Sequence, residues 1–75
     1  MIEESQHPEE TVDVYVQRVI KTSDKAMLAI IGGTQYWIPF SQIFGEEPAT
    51  AARAWKRHIE VTVWWAKQAN LPGYA

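Results

Sequence analysis

One short stretch in the second half of this chain carries the residue types best suited to chemistry. Arg53, Lys56 and Arg57 share one face if residues 48–57 are helical, because residues three and four apart are neighbours on a helix. Trp55 lies among them. Single-stranded nucleic acid is bound by such a combination, since cations neutralise its phosphates and an exposed ring stacks on a base. The alternative is a solvated helix face with Trp55 directed into the core.

Catalysis has little support among the other polar residues. The chain has no Cys, and a Ser nucleophile needs a base within reach. His58 is the only candidate base, because His7 lies in a polar, acidic terminal segment that we expect to be disordered. Ser23 and Ser41 occupy predicted turns, where Ser is common for conformational reasons. We therefore predict a protein that is not an enzyme, with no catalytic residue, no cofactor and no metal site.

The aromatic residues allow two interpretations. The chain has four Trp, and Trp37, Trp64 and Trp65 fall at the ends of predicted elements. Rings packed at such positions would close a small core, and we expect at least two of the three to do so. If Trp37 is instead exposed beside Leu28 and Ile30, the three side chains form an apolar patch. Patches of that kind bind protein partners, and Trp is common at interface hot spots.

The charges are unevenly distributed along the chain. Five of the nine acidic residues lie within the first 13 positions, with no Lys or Arg among them. Residues 14–75 hold all seven Lys and Arg against four carboxylates, so this body carries a net charge of +3 although the whole chain carries −2. An acidic end often serves solubility alone. It could also imitate nucleic acid toward a basic partner, or compete with phosphates for the body of the same chain.

A β-rich fold must position these residues. Val12, Val14 and Val16 alternate with polar residues, which predicts a strand. Gly32-Gly33 between two β-prone runs predicts a tight hairpin. We predict four strands over residues 11–20, 25–31, 34–38 and 59–63, a short alanine-rich segment over 49–56 that could be helical, and a last helix from Val63 to about Asn70. Thr62 would cap that helix, and Asn70 with Pro72 would end it.

The hairpin fixes a register that makes both faces of the sheet apolar. Ile31 opposes Thr34 and Met27 opposes Ile38, and paired residues share a face. One face then carries Met27, Ala29, Ile31, Tyr36 and Ile38, and the other carries Leu28, Ile30, Gln35 and Trp37. A flat sheet cannot cover both. We therefore predict a mainly β fold with a short C-terminal helix, built as a small curled sheet or an SH3-like or OB-like barrel.

The length of the chain bounds its organisation and its location. Residues 11–75 suffice for one small β-barrel-like domain, after a disordered acidic head over residues 1–10. So short a chain has a marginal core, and without Cys it has no disulfide to support it, so we expect a homo-oligomer. No signal-like or membrane-length apolar segment is present, which predicts a cytoplasmic protein with no membrane contact.

Two stretches carry a family resemblance. Residues 37–43, WIPFSQI, are similar to a W-[IV]-P-K-S-Q-I pattern, and residues 59–66, IEVTVWWA, are similar to an I-x-[IV]-P-E-W-[LF]-A ending. Together they resemble a group of small, mostly uncharacterised proteins of phages and prophages. The resemblance implies a compact β-barrel-like fold and a mobile-element origin in a bacterial host, and it brings no known activity. Phe40 stands where the pattern has Lys, so no role of that Lys carries over.

Two functional hypotheses follow from these observations. The first is a non-enzymatic protein-interaction module of phage or mobile-element type that inhibits a host or defence factor. The second is a small barrel that binds single-stranded nucleic acid. Its site would combine Arg53, Trp55, Lys56 and Arg57 with Tyr36 or Trp37 from the sheet.

Overall fold

The computed structural model describes residues 10–73, so the predicted head lies outside the described residues except for Glu10. The elements are, in chain order, β1 (Thr11–Thr22), β2 (Ala26–Ile31), β3 (Thr34–Pro39), a 3-10 helix (Phe40–Gln42), β4 (Ile43–Phe44), α1 (Pro48–Ala51), β5 (Trp55–Thr62) and α2 (Val63–Gln68). Strands dominate, and α2 is the predicted short C-terminal helix.

The five strands form one antiparallel sheet in the order β3-β2-β1-β5-β4. The long strand β1 occupies the centre, since its first part pairs with β5 and its last part pairs with β2. β3 and β4 are the two edges, so the sheet is not closed into a barrel. The predicted fold class, mainly β with a short C-terminal helix, is confirmed in its curled-sheet form.

We call the face of the sheet that does not pack against the core the outer face. A bend in β1 determines which residues of this strand lie on it. Val16 is buried and Val19 packs against the same core. Side chains of a regular strand alternate between faces, so two core residues three positions apart require an irregularity between them. β5 has its own irregularity opposite this point, because Lys56 adopts a φ of 54°. Beyond the bend, Arg18 pairs with Trp55 on one side and Ile30 on the other.

The core lies on the inner face of the bent sheet. Its completely buried side chains are mainly aliphatic, including Met27, Ile38 and Val61. Tyr36 packs edge-to-face on Trp65, with the ring centroids 6.3 Å apart. α2 closes this face, since Trp65, Ala66 and Leu71 are buried members of the core.

The ends of α2 follow the sequence prediction. The Thr62 hydroxyl accepts a hydrogen bond from the Trp65 amide at 3.1 Å, which is an N-cap. Asn70 has a φ of 58°, and its amide donates to the Lys67 carbonyl. The Leu71 amide donates to the Ala66 carbonyl, which completes a Schellman motif. Thr62 and Asn70 are therefore confirmed as the residues that start and stop this helix.

The prediction for residues 49–63 is wrong in two respects. The helix α1 is only Pro48–Ala51, and the fourth predicted strand begins at Trp55 rather than at residue 59. A further short strand, β4, brings the count to five within residues 10–73. The reason is tertiary pairing: β1 is long enough to pair with the whole of β5, and those ladder bonds outweigh the weak helix preference of a short alanine-rich segment.

Candidate functional site

Three of the four Trp side chains are exposed. Trp37 is 47% exposed, Trp55 63% and Trp64 49%, whereas Trp65 is 5% exposed. The expectation that at least two of Trp37, Trp64 and Trp65 close the core is therefore wrong, and so is the alternative that buries Trp55. Trp37 opposes Leu28 and alternates with the core residue Ile38, so it lies on the outer face. Trp64 and Trp65 are successive on a helix, so their side chains point to different sides.

Two cross-strand rows bring exposed rings and cations together on the outer face. One row runs from Trp37 through Leu28 to Lys21, and the other runs from Ile30 through Arg18 to Trp55. Residues directly opposite each other share a face and have Cβ atoms about 5 Å apart. We call the following set the Trp–cation surface: Arg18, Lys21, Ile30, Trp37, Trp55 and Lys56.

A lysine ammonium lies over each exposed ring of this surface. The Lys56 Nζ lies 4.6 Å from the centroid of Trp55, and the Lys21 Nζ lies 5.9 Å from the centroid of Trp37. Such cation–π contacts at exposed sites contribute about 0.5–1 kcal/mol. Lys56 achieves its position with a left-handed backbone conformation that side-chain-bearing residues rarely adopt. Both rings thus contact a cation while remaining about half or more exposed.

Arg57, one of the predicted binding residues, is engaged within the protein. Its Nη2 donates to Glu46 Oε1 at 2.7 Å and its Nη1 donates to Glu46 Oε2 at 3.2 Å. Nη2 also donates to the Thr50 carbonyl at 3.2 Å. The hydrogen bond to Glu46 raises the pKa of Arg57; desolvation acts against it, and the carboxylate charge adds to it. Arg57 therefore fastens the segment before β5 to the strand, and its guanidinium is already paired.

The structure separates the other predicted site residues. Arg53 lies in the turn between α1 and β5 rather than on a helix face shared with Lys56. Tyr36 is half-buried and packs on Trp65, so it belongs to the core side of β3. Trp37, Trp55 and Lys56 remain, and they do lie on one face.

Sequence reasoning missed Arg18 and Lys21. Both enter the site because β1 extends to Thr22 and pairs with β5 and β2 at once. The sequence gives no clear local signal for this placement. Val19 and Ile20 are both apolar, and Ile20 is in phase with Val12, Val14 and Val16, so the pattern does not report the irregularity that brings Val19 to the core.

The opposite end of the outer face has a different character. Tyr15 and His58 pack edge-to-face with centroids 5.2 Å apart, and Asp13 directly opposes Glu60. His58, the candidate base, thus packs on an aromatic ring. Within residues 10–73, no group of three or more His, Asp or Glu side chains is arranged to hold a metal ion. Among the same residues, no helix has the length and apolar character needed to cross a membrane.

The Trp–cation surface has to be understood from its own geometry. No protein-family model matches the chain, and neither a curated protein nor a solved structure matches it.

Proposed function

We propose that this protein is a non-enzymatic module that binds single-stranded nucleic acid through the Trp–cation surface. The observation that carries the proposal is the placement of two exposed Trp rings on one face, with three cations among them. Proteins that bind single strands without sequence preference use this combination, since rings stack on bases and cations follow the phosphates.

The arrangement favours a single strand over a duplex. The bases of a duplex present only their edges in the grooves, and an α-helix or a two-stranded ribbon is what usually enters the major groove. Here α1 and α2 have only four and six residues, and the exposed groups are flat rings on a sheet. A ring needs the face of a base, which only an unpaired strand offers.

The number of cations sets the expected salt dependence. Arg18, Lys21 and Lys56 belong to the Trp–cation surface, and Arg57 is paired with Glu46. Three neutralised phosphates on a single strand give a slope of about −2 in the logarithm of the affinity against the logarithm of the salt concentration. Binding should therefore be weak, tolerant of sequence and clearly salt-dependent.

The proposal is tested by fluorescence anisotropy of a labelled oligo-dT titrated with the protein at several salt concentrations. Trp55→Ala should weaken binding by about 1–3 kcal/mol, since the ring would no longer stack on a base. Trp64→Ala is the matched control, because Trp64 is similarly exposed but lies on α2. It should leave the affinity unchanged. An absence of binding by the unaltered protein at low salt would end the proposal.

A protein partner is the second candidate function, and the exposed apolar groups favour it. Ile20 is exposed where the register of β1 with β2 shifts, between Val19 and Lys21, and Ile30 is part of the Trp–cation surface. Trp and Arg beside such groups are the residue types that dominate interface hot spots. A phage-type inhibitor of a host factor would bind in this way. Its affinity would depend less on salt, and a lysate pull-down would recover a stoichiometric protein rather than nucleic acid.

A further inference from the structure

We infer that the Trp–cation surface holds a strand of at least three nucleotides, in which Trp37 and Trp55 stack on two non-adjacent bases and Arg18 binds a phosphate between them. This inference rests on the proposed function and specifies its site. The two rings are then two stacking platforms that bind one strand together, so a ligand must have a minimum length to contact both of them.

The sheet itself separates the two rings. Trp37 is on β3 and Trp55 is on β5, and the order β3-β2-β1-β5 places three strand steps between them. At about 4.8 Å per step, the two backbone positions are about 14 Å apart across the strands. The row of Trp37 is also two residues away from the row of Trp55 along β2, which adds an offset of about 7 Å.

The distance between the rings exceeds the spacing of stacked bases. Their backbone positions are about 14 Å apart across the strands and offset by about 7 Å along them. Neighbouring bases of a stacked strand are only about 3.4 Å apart. Two adjacent stacked bases therefore cannot occupy both rings at once, and at least one nucleotide must bridge them.

Arg18 is placed to hold that bridging segment. Arg18 is on β1, where it pairs with Trp55 of β5 on one side and with Ile30 of β2 on the other. Trp37 is on β3, beyond β2, so Arg18 lies between the two rings across the sheet. Its planar guanidinium can bind two oxygens of one phosphate, which a lysine cannot do. Lys21 and Lys56 lie over Trp37 and Trp55, respectively, so the phosphates within their reach are those next to the rings. Arg18 is thus the cation that links the two platforms.

The test is a length series of oligo-dT, beginning at the dinucleotide, against Trp37→Ala, Trp55→Ala and the double variant. On the dinucleotide either ring alone can take the ligand, so each single substitution should weaken binding by about twofold at most. On oligomers long enough to span both rings, each substitution should weaken binding by roughly 5- to 150-fold. Trp55→Phe keeps a stacking ring and should recover part of the loss. Trp64→Ala should have no effect at any length.

Two results separate the inference from the function beneath it. If long oligomers bind well but only one of the two substitutions matters, the two-platform site is wrong and nucleic-acid binding stands. If each single substitution already abolishes dinucleotide binding, the two rings act on adjacent bases. The two-platform site is then wrong as well, and nucleic-acid binding again stands. If the unaltered protein binds no oligomer of any length, the proposed function fails and the inference with it.

Discussion

Among single residues, Lys56 is the one that both has a strained backbone conformation and belongs to the proposed site. It is a lysine with a φ of 54° inside a strand, and its ammonium lies 4.6 Å from the centroid of the most exposed Trp. A left-handed conformation costs a residue with a Cβ about 1–2 kcal/mol. Strain of this kind is commonly retained where it positions a functional group. Here it holds a cation against Trp55.

Lys56→Gly and Lys56→Ala together separate the backbone strain at this position from its charge. Both variants lose the ammonium and its contact with Trp55, but glycine adopts a positive φ without strain, so the free energy of unfolding in urea should be about 0.5–1 kcal/mol higher for Lys56→Gly than for Lys56→Ala. The affinity for oligo-dT should fall, because a cation of the Trp–cation surface is lost. Lys56→Asn is the matched variant, since Asn tolerates this conformation better than most residues. An unfolding free energy for Lys56→Gly that is no higher than that of Lys56→Ala would show that the backbone there is not strained.

The pairing of Arg57 with Glu46 supports a structural role that can be separated from binding. Glu46→Gln removes a charge-assisted, two-bond contact, and we expect the free energy of unfolding to fall by about 1 kcal/mol. The affinity for oligo-dT below the unfolding transition should rise only slightly, as expected for the loss of one negative charge, and the same rise should follow Glu47→Gln. A clearly larger rise for Glu46→Gln would show that a released Arg57 binds phosphate, and that Arg57 belongs to the site as the sequence suggested.

At the scale of elements, the hairpin was predictable and the start of β5 was not. All five predicted pairs between β2 and β3 are confirmed, from Ile31 with Thr34 to Met27 with Ile38. A two-residue turn leaves little choice of register, and both Gly32 and Gly33 have the positive φ that such a turn needs. Trp55 pairs with Arg18, 37 positions earlier, and no local pattern reports a pairing of that range.

The predicted site was partly right for the same reason. Trp37 is on the outer face because the hairpin register puts it there, and that register was readable. Lys56 and Trp55 are on that face through β5, although they were expected on a helix. Arg18 required knowledge of the bend in β1. Placements that depend on the local hairpin, such as that of Trp37, could be predicted from the sequence. Placements that depend on pairing between distant strands, such as that of Arg18, could not.

At the scale of the whole molecule, the described part leaves two sheet edges open. β3 offers six residues at one edge and β4 offers two at the other. Open edges can pair with another chain, and β3 carries no charged residue to oppose this. Homo-oligomerisation stays a prediction. Sedimentation at high micromolar concentration checks it, and a monomer there would contradict it.

The acidic head provides a prediction that depends on charge alone. Residues 1–9 contain Glu3, Glu4 and Glu9, so their removal changes the net charge from −2 to +1. We expect the shortened chain to bind oligo-dT more tightly at low salt, because three charges that repel phosphates are gone. The gain should shrink as salt screens the charges. An unchanged or weaker affinity at low salt would favour the protein-partner function instead.

Binding of single-stranded DNA by the Trp–cation surface can be tested by following the Trp indole N–H signals by NMR while oligo-dT is added. The chain has four Trp and each carries one indole N–H, so the four sites report separately. We expect the signals of Trp37 and Trp55 to shift together along the titration and those of Trp64 and Trp65 to stay in place. Shifts confined to Trp64, or none at saturating oligonucleotide, would contradict it.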